Sequence, residues 1–249
     1  MKFTPANRRS LLLACRASPY DRCNRHRTTR LANRSAITRC LSSSLIVTVI
    51  PTLTALRIGP ADNGRRLKLD EFIEAEFEEG WVYELARGVV EVTEVPGPWH
   101  GRIVDRLARM FIHYDEQHPG RINYRAGGGE CRMRLPGMVS DRHPDQAIYL
   151  DPEPSGHKVW TKWVPHIVVE VVSPGGEQRD FVDKHEEYLR VGGREYWILD
   201  TEHRRMHALV REGDTWQETI VPESGIDHTV FLPGLQVRPA ELLGPASVL

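Results

Sequence analysis

His166-Ile167-Val168-Val169-Glu170-Val171-Val172 is a nearly continuous β-branched run interrupted by one carboxylate. Such a run is typical of a central strand buried on both faces, where every side chain meets an apolar layer. Period-two alternation places Glu170 on the face of Val168 and Val172. A charged residue is rarely buried without a partner or a metal, so Glu170 is the position that calls for a chemical explanation.

On the N-terminal side, Pro144-Asp145 opens another extended run over residues 145–150. A long loop follows over 151–164, carrying Pro152, Pro154 and Gly156. Cys131, Met133 and Leu135 alternate with Arg132 and Arg134, as a half-buried strand should. The two arginines are read either as a phosphate contact or as a solvated strand face. Gly127-Gly128-Gly129 predicts a flexible turn, and 121–125 another extended piece. Ile103, Leu107, Met110, Phe111 and Tyr114 mark one face of a helix over 99–117, between the Pro96-Gly97-Pro98 break and the His118-Pro119-Gly120 stop. Residues 81–85 and 89–95 read as a hairpin around Ala86-Arg87-Gly88, preceded by a short helix over 69–79.

On the C-terminal side, Phe181, His185, Tyr188 and Leu189 line one side of a helix over 178–191, closed by Gly192-Gly193. Strands follow at 195–199, 206–210 and 215–221, and Pro233 begins a short tail. The Tyr196-Trp197 aromatics read as core. One helix thus crosses between the 168–172 strand and the 196–199 strand. The order predicts an α/β domain: a mixed central β-sheet flanked by helices.

Charge divides the chain. Residues 1–60 hold eleven Lys/Arg against the single acid Asp21, a net of +10; the overall balance of −1 leaves −11 for the rest. Residues 1–60 therefore read as a basic extension that cannot bury enough apolar surface to order itself, and residues 67–243 as the folded domain. The apolar run Ser44–Leu56 is broken by Pro51 and is shorter than the roughly 20 residues a membrane span needs. Alternative readings of the extension are a transit-like peptide and a basic arm on phosphates. Cys15, Cys23 and Cys40 lie in it and only Cys131 lies beyond, at spacings that match no zinc pattern. Free thiols in a reducing, cytoplasmic compartment are expected.

If the strands carrying Asp145 and Glu170 are neighbours, their carboxylates can converge on one divalent cation. Magnesium takes hard oxygen ligands and often only one or two carboxylates. Such a cation could activate water and neutralise charge developing on a phosphodiester. Lys184 lies on the helix that follows the Glu170 strand, and its stem could reach back. Each residue also has an ordinary structural role. Asp145 could cap a turn after Pro144, Glu170 could pair with an arginine, and Lys184 could be solvated beside Asp180, Asp183, Glu186 and Glu187.

An ordered set of motifs adds to this. Tyr83-Glu84-Leu85 with Gly88, His100, Arg142-His143-Pro144-Asp145, Val169-Glu170-Val171-Val172-Ser173-Pro174, Asp180, Lys184, Tyr188, Gly192 and Glu195-Tyr196-Trp197-Ile198-Leu199-Asp200 together resemble the Uma-type restriction endonuclease family of the PD-(D/E)XK superfamily. The resemblance covers about residues 67–243. It implies a restriction-endonuclease-like core and a Mg2+- or Mn2+-dependent endonuclease that hydrolyses DNA phosphodiester bonds. It further implies Asp145 and Glu170 as metal ligands with the Val171 carbonyl as a third. The simple superfamily pattern has a lysine where Val172 stands, so the resemblance implies that Lys184 has taken that role from the next helix. Glu84 and His100 match further family positions that border the site. Departures are Gln146 after Asp145, Gly175-Gly176 after Ser173-Pro174, and Ala86-Arg87-Gly88 in the hairpin turn.

Expected partners are DNA and, because cutting two strands usually takes two sites, a second copy of the chain; no membrane is expected. The alternative is a nuclease fold without turnover, binding nucleic acid or protein. The acidic domain keeps that alternative open, since duplex binding normally shows a basic footprint. No target-recognition domain and no methyltransferase motif is legible.

Overall fold

The computed structural model describes residues 55–245. The expectations for residues 1–54, including Cys15, Cys23 and Cys40, lie outside the described residues. The order opens with β1 (Arg57–Ile58), α1 (Leu69–Ile73) and β2 (Glu76–Phe77), then the hairpin β3 (Trp81–Ala86) and β4 (Val89–Glu94). The long α2 (Pro98–Gln117) leads to β5 (Tyr124–Ala126), β6 (Met133–Leu135), β7 (Ser140–Arg142), β8 (Gln146–Tyr149) and β9 (Ile167–Val171). A π-helical turn (Arg179–Asp183) runs into α3 (Lys184–Val191), followed by β10 (Glu195–Asp200), β11 (Arg205–Glu212) and β12 (Thr215–Pro222). β13 (Asp227–His228), β14 (Gln236–Val237) and α4 (Pro239–Leu243) close the order.

The main sheet has six strands in the order β12-β11-β10-β9-β8-β5. β9 and β10 run parallel and the other neighbours antiparallel, so the sheet is mixed. The parallel pair needs a crossover, and the π-helical turn with α3 supplies it. Alternation along β9 assigns its side chains to two layers. Ile167, Val169 and Val171 pack in one cluster with Ile103, Leu107 and Phe111 of α2. Val168 and Val172 pack in the other with Tyr188 of α3, Tyr196 and Ile198. The result is a helix–sheet–helix sandwich, with Tyr196 and Trp197 fully buried as core. A second sheet, β4-β3-β7-β6, stands beside it.

Four local expectations change. The helix over 69–79 stops at Ile73, and Glu76–Phe77 instead pairs in parallel with Arg57–Ile58. Phe77 therefore reaches the ring of Phe72 from a strand, at 5.0 Å between centroids, although its spacing looked helical. Residues 57–58, placed in the extension by charge, belong to the folded unit, with Ile58 fully buried. β7 was not legible, being three residues long and holding Ser140, Asp141 and Arg142, all buried. The stretch from Pro233 is no tail: Leu235, Val237, Leu242 and Leu243 join the α2-side core. Arg106 of α2 donates to the Leu242 and Leu243 carbonyls at 3.2 and 3.3 Å, holding α4 in place. Among the described residues no helix is long and apolar enough to cross a membrane.

Because α4 closes the core, Leu242→Ala is expected to cost about 2–5 kcal/mol, the usual range for emptying a buried leucine site. Denaturant unfolding checks this, and a wild-type midpoint would return α4 to the status of a tail.

A second expectation concerns pH. Glu195 is buried at the start of β10 and accepts hydrogen bonds from Thr229 Oγ1 at 2.8 Å and Trp197 Nε1 at 3.0 Å. Burial pushes its pKa from 4.5 up to about 7, even though both hydrogen bonds pull the other way. Below the unfolded value both states carry the proton and nothing is lost. As pH rises the unfolded chain ionises first while the native state keeps its proton, so stability falls between about pH 4.5 and 7 and then levels off. Glu195→Gln is expected to flatten that part of the curve of melting temperature against pH. A variant with the wild-type slope would show that Glu195 is not its source.

Candidate active site

β8 and β9 are neighbours, with Gln146 opposite Val169 in antiparallel register. The next step along that register sets Asp145, just before β8, against Glu170 in β9. Asp145 Oδ2 accepts the Val171 N–H at 2.7 Å and lies 3.2 Å from His100 Nε2. His100 is there because Gly97 and Pro98 start α2, leaving His100 in its first turn. Gly127 makes room on the other side. A Cβ on it would stand 2.5 Å from both the Asp145 carbonyl oxygen and Gln146 Nε2, so only glycine fits without displacing Asp145.

Alternation aims Glu170 at the α3 layer. There Oε1 receives Lys184 Nζ at 3.0 Å and the Tyr188 hydroxyl at 2.6 Å. Lys184 also lies 3.4 Å from Glu84 and 3.6 Å from Asp180. The π-helical turn, with Asp180 buried in it, sets the phase of the helix at this point; such turns recur at functional sites. Lys184 is thus a buried ammonium among three carboxylates, not a solvated helix residue.

All five residues singled out in the sequence border one cavity of about 460 Å³: Glu84, His100, Asp145, Glu170 and Lys184, with Val171 beside them. The sequence reading did not single out Arg179, which also borders it. Its position in the first turn after the Glu170 strand was the available signal. His143 lines the same cavity. Burial pushes its pKa down to about 4, so it is a neutral imidazole at neutral pH.

The charges are strongly unequal in behaviour. Burial raises the Glu170 pKa, and the nearby Asp145, Asp180 and Glu84 add to this; Lys184 offsets only part, leaving it at about 8. Glu84 is also buried, but Lys184, Arg142 and Arg179 together with the His143 N–H hold it down at about 2. Burial opposes the charge on Lys184, yet Glu170, Glu84 and Asp180 keep its pKa above the ordinary lysine value. Lys184 therefore stays protonated and cannot act as a base.

A divalent cation fits this donor set. The hydrogen bonds on Glu170 all fall on Oε1 and the contacts of Asp145 on Oδ2; the second oxygen of each carboxylate has no hydrogen-bond partner among the described residues. Two carboxylates in one cavity repel, and a cation between them relieves that repulsion. Among the described residues no three His, Cys, Asp or Glu side chains are grouped to hold an ion. The set suits a magnesium-like ion that keeps water and substrate oxygens in its shell, not a closed zinc cage.

Behind the cavity stands Arg142, fully buried in β7. It donates to Glu187 at 2.7 Å and Glu91 at 2.6 Å, and meets Glu84 at 3.4 Å. Arg132 and Arg134 turn toward buried Asp141, at 3.6 and 3.7 Å, so they form neither a solvated strand face nor a free basic pair. Arg142→Met leaves Glu187, itself fully buried, with only Arg87 at 3.5 Å and the Ser140 hydroxyl at 3.2 Å, and is expected to cost about 3–5 kcal/mol. Chemical denaturation reads this out. A variant as stable as the wild type would mean that Arg87 and Ser140 satisfy Glu187 without Arg142.

A solved structure from Anabaena variabilis, described as a "putative nuclease", matches with a TM-score of 0.59 at 16% identity, over 74% of this chain and 99% of that one. At that identity the likeness establishes the fold, a restriction-endonuclease-like α/β core. No curated protein matches the sequence. The Uma2 family, described as "Putative restriction endonuclease", matches residues 69–241, which include every residue of the cavity described above. The chain belongs to the Uma2 family.

Proposed function

We propose that the protein is a Mg2+- or Mn2+-dependent endonuclease that hydrolyses DNA phosphodiester bonds, acting as a homodimer. The observation that carries this reading is the meeting of Asp145, Glu170 and Lys184 in one cavity, with Lys184 Nζ 3.0 Å from Glu170 Oε1. Family membership supports the nuclease class.

In this reading Asp145, Glu170 and the Val171 carbonyl hold the cation. When bound, it supplies Lewis-acid stabilisation of the phosphate and a more acidic water. The Val171 N–H and His100 fix the Asp145 carboxylate in place. Tyr188 orients Glu170 through its hydroxyl. Lys184, permanently charged, stabilises the negative charge that builds on the phosphoryl oxygens and orients the incoming water. Arg179 adds a second positive group on the cavity wall. Water attacks phosphorus, a new P–O bond forms, and the bond to the leaving oxygen breaks. The products are one phosphate monoester and one hydroxyl: the attacking water gives a proton to solvent, and the departing alkoxide takes one up from solvent.

The test is cleavage of supercoiled plasmid by the full-length chain with Mg2+ or Mn2+. Asp145→Ala and Glu170→Ala are expected to abolish nicking. Lys184→Met is expected to lower the rate by about 10²–10³, the usual cost of losing one electrostatic contact to a transition state. Calorimetric titration with Mn2+ separates the roles: Asp145→Ala loses binding and Lys184→Met keeps it. Cleavage that survives in all three variants points to a contaminant. Metal-dependent DNA binding without cleavage favours a binding module.

A further inference from the structure

A second cavity, of about 760 Å³, abuts the first. Trp99 and the Ser173–Gly175 segment border both, so they form the wall between the two. The linings differ in chemistry. The first sets Arg179 and Lys184 among the carboxylates of Glu84, Glu94, Asp145 and Glu170, a charged lining that suits a cation and the phosphate it carries. The second presents Trp99, Val172, Pro174 and Phe181 as apolar surface, with Asp200 and His207 among its polar groups. It holds no lysine, and its single arginine, Arg205, is tied to Asp200 at 2.9 Å. Aromatic and apolar walls with a few fixed polar groups suit a flat heterocycle, not an anion.

These aromatic walls are held in place. Phe181 packs against the α3-side core and stands edge-on to His207, with centroids 4.9 Å apart. Trp99 packs against the α2-side core and is edge-on to His100, at 5.8 Å. His100 in turn contacts Asp145, which links the shared wall directly to the candidate ligand. Asp200 is buried and accepts the His203 N–H and the Arg205 Nε–H, so its carboxylate is oriented rather than mobile.

We propose that the second cavity receives one unstacked nucleobase of the strand being cut, adjacent to the scissile phosphate, and that the preferred substrate is therefore single-stranded or locally unpaired DNA. This deepens the endonuclease reading and rests on it. A base inside a duplex is stacked on both faces and cannot enter a side cavity without being extruded, whereas an unpaired base can. Stacking on aromatic side chains tolerates any base, because every base has a π-face. The charge of the domain points the same way. Residues beyond 60 carry a net of −11, and a duplex concentrates twice the phosphate charge of a single strand along its axis. An acidic domain is penalised less by the single strand.

The test uses the full-length chain and one oligonucleotide, offered single-stranded and annealed to its complement. Wild type is expected to cut the single strand with a kcat/KM at least about tenfold above the duplex, the scale of one base-stacking contact. Phe181→Leu keeps an apolar side chain but removes the ring, and is expected to bring that ratio close to one; Phe181→Tyr restores it. In EDTA, single strands with 2-aminopurine at successive positions read the pocket without turnover. One position is expected to change its fluorescence on binding, and Phe181→Leu to lose that change. Equal cutting of both forms by wild type, or a Phe181→Leu variant that matches wild type in both readouts, overturns the base pocket while leaving the nuclease intact. A position-specific signal in EDTA with no cutting in Mg2+ overturns the endonuclease reading and leaves the pocket standing.

Discussion

Glu170 is a carboxylate in the middle of the central strand, and the protein spends much of its interior on making that position tolerable. An isolated ion there would be too costly to bury. Lys184 and Tyr188 meet it from α3, and Lys184 in turn is shared with Glu84 from the hairpin and Asp180 from the π-helical turn. Arg142 extends the network, tying β7 to Glu84 and Glu91 of the hairpin and to Glu187 of α3. A network of this kind is costly when any one member is removed, because the others are left buried and unpaired. The same polar seam therefore joins the small sheet, the main sheet and α3, and builds the wall of the cavity.

In the proposed reading Lys184 takes the part of the lysine that the simple PD-(D/E)XK pattern has two residues after the glutamate. Val172 occupies that position and packs in the α3-side core, on the same face as Glu170. Lys184 reaches the same carboxylate from the other side of the layer, one helix later. The ammonium–carboxylate contact between Lys184 and Glu170 is made at 3.0 Å. What chemistry requires is a charge at a place, and a helix packed on the strand is as good a support for it as the strand itself.

Asymmetry between the two cavities follows from the sheet. The cavity holding Asp145 and Glu170 collects the polar ends of β8, β9, α2 and the hairpin, where buried charge has been gathered and paired. Its neighbour lies toward the end of β10 and the start of β11, where Val172, Pro174 and Phe181 leave an apolar lining. A nucleotide has the same asymmetry, an anionic phosphate joined to a flat and largely apolar base. The shared Trp99 wall sets the two environments side by side.

Much of the architecture was legible because it rests on periodicity. The β-branched run around Glu170, the apolar stripe from Ile103 to Tyr114 and the closing Gly192 are local signals, and local signals set strands and helices. Short elements were not legible: three buried residues make β7, and no periodicity can be read over three. Phe77 and Leu242 were misplaced because their final partners, Ile58 and Arg106 with their neighbours, are remote in sequence. For the candidate site, the ordered motifs pointed to Asp145, Glu170, Lys184, Glu84 and His100. Sequence by itself determined the residue types available and the faces on which alternation would put them. Only the tertiary structure decided that Asp145 and Glu170 stand opposite each other, that Lys184 is buried rather than solvated, and that Arg142 and Arg179 join them. The reason is that burial and pairing of charge depend on contacts between elements far apart in the chain, and such contacts leave no local pattern.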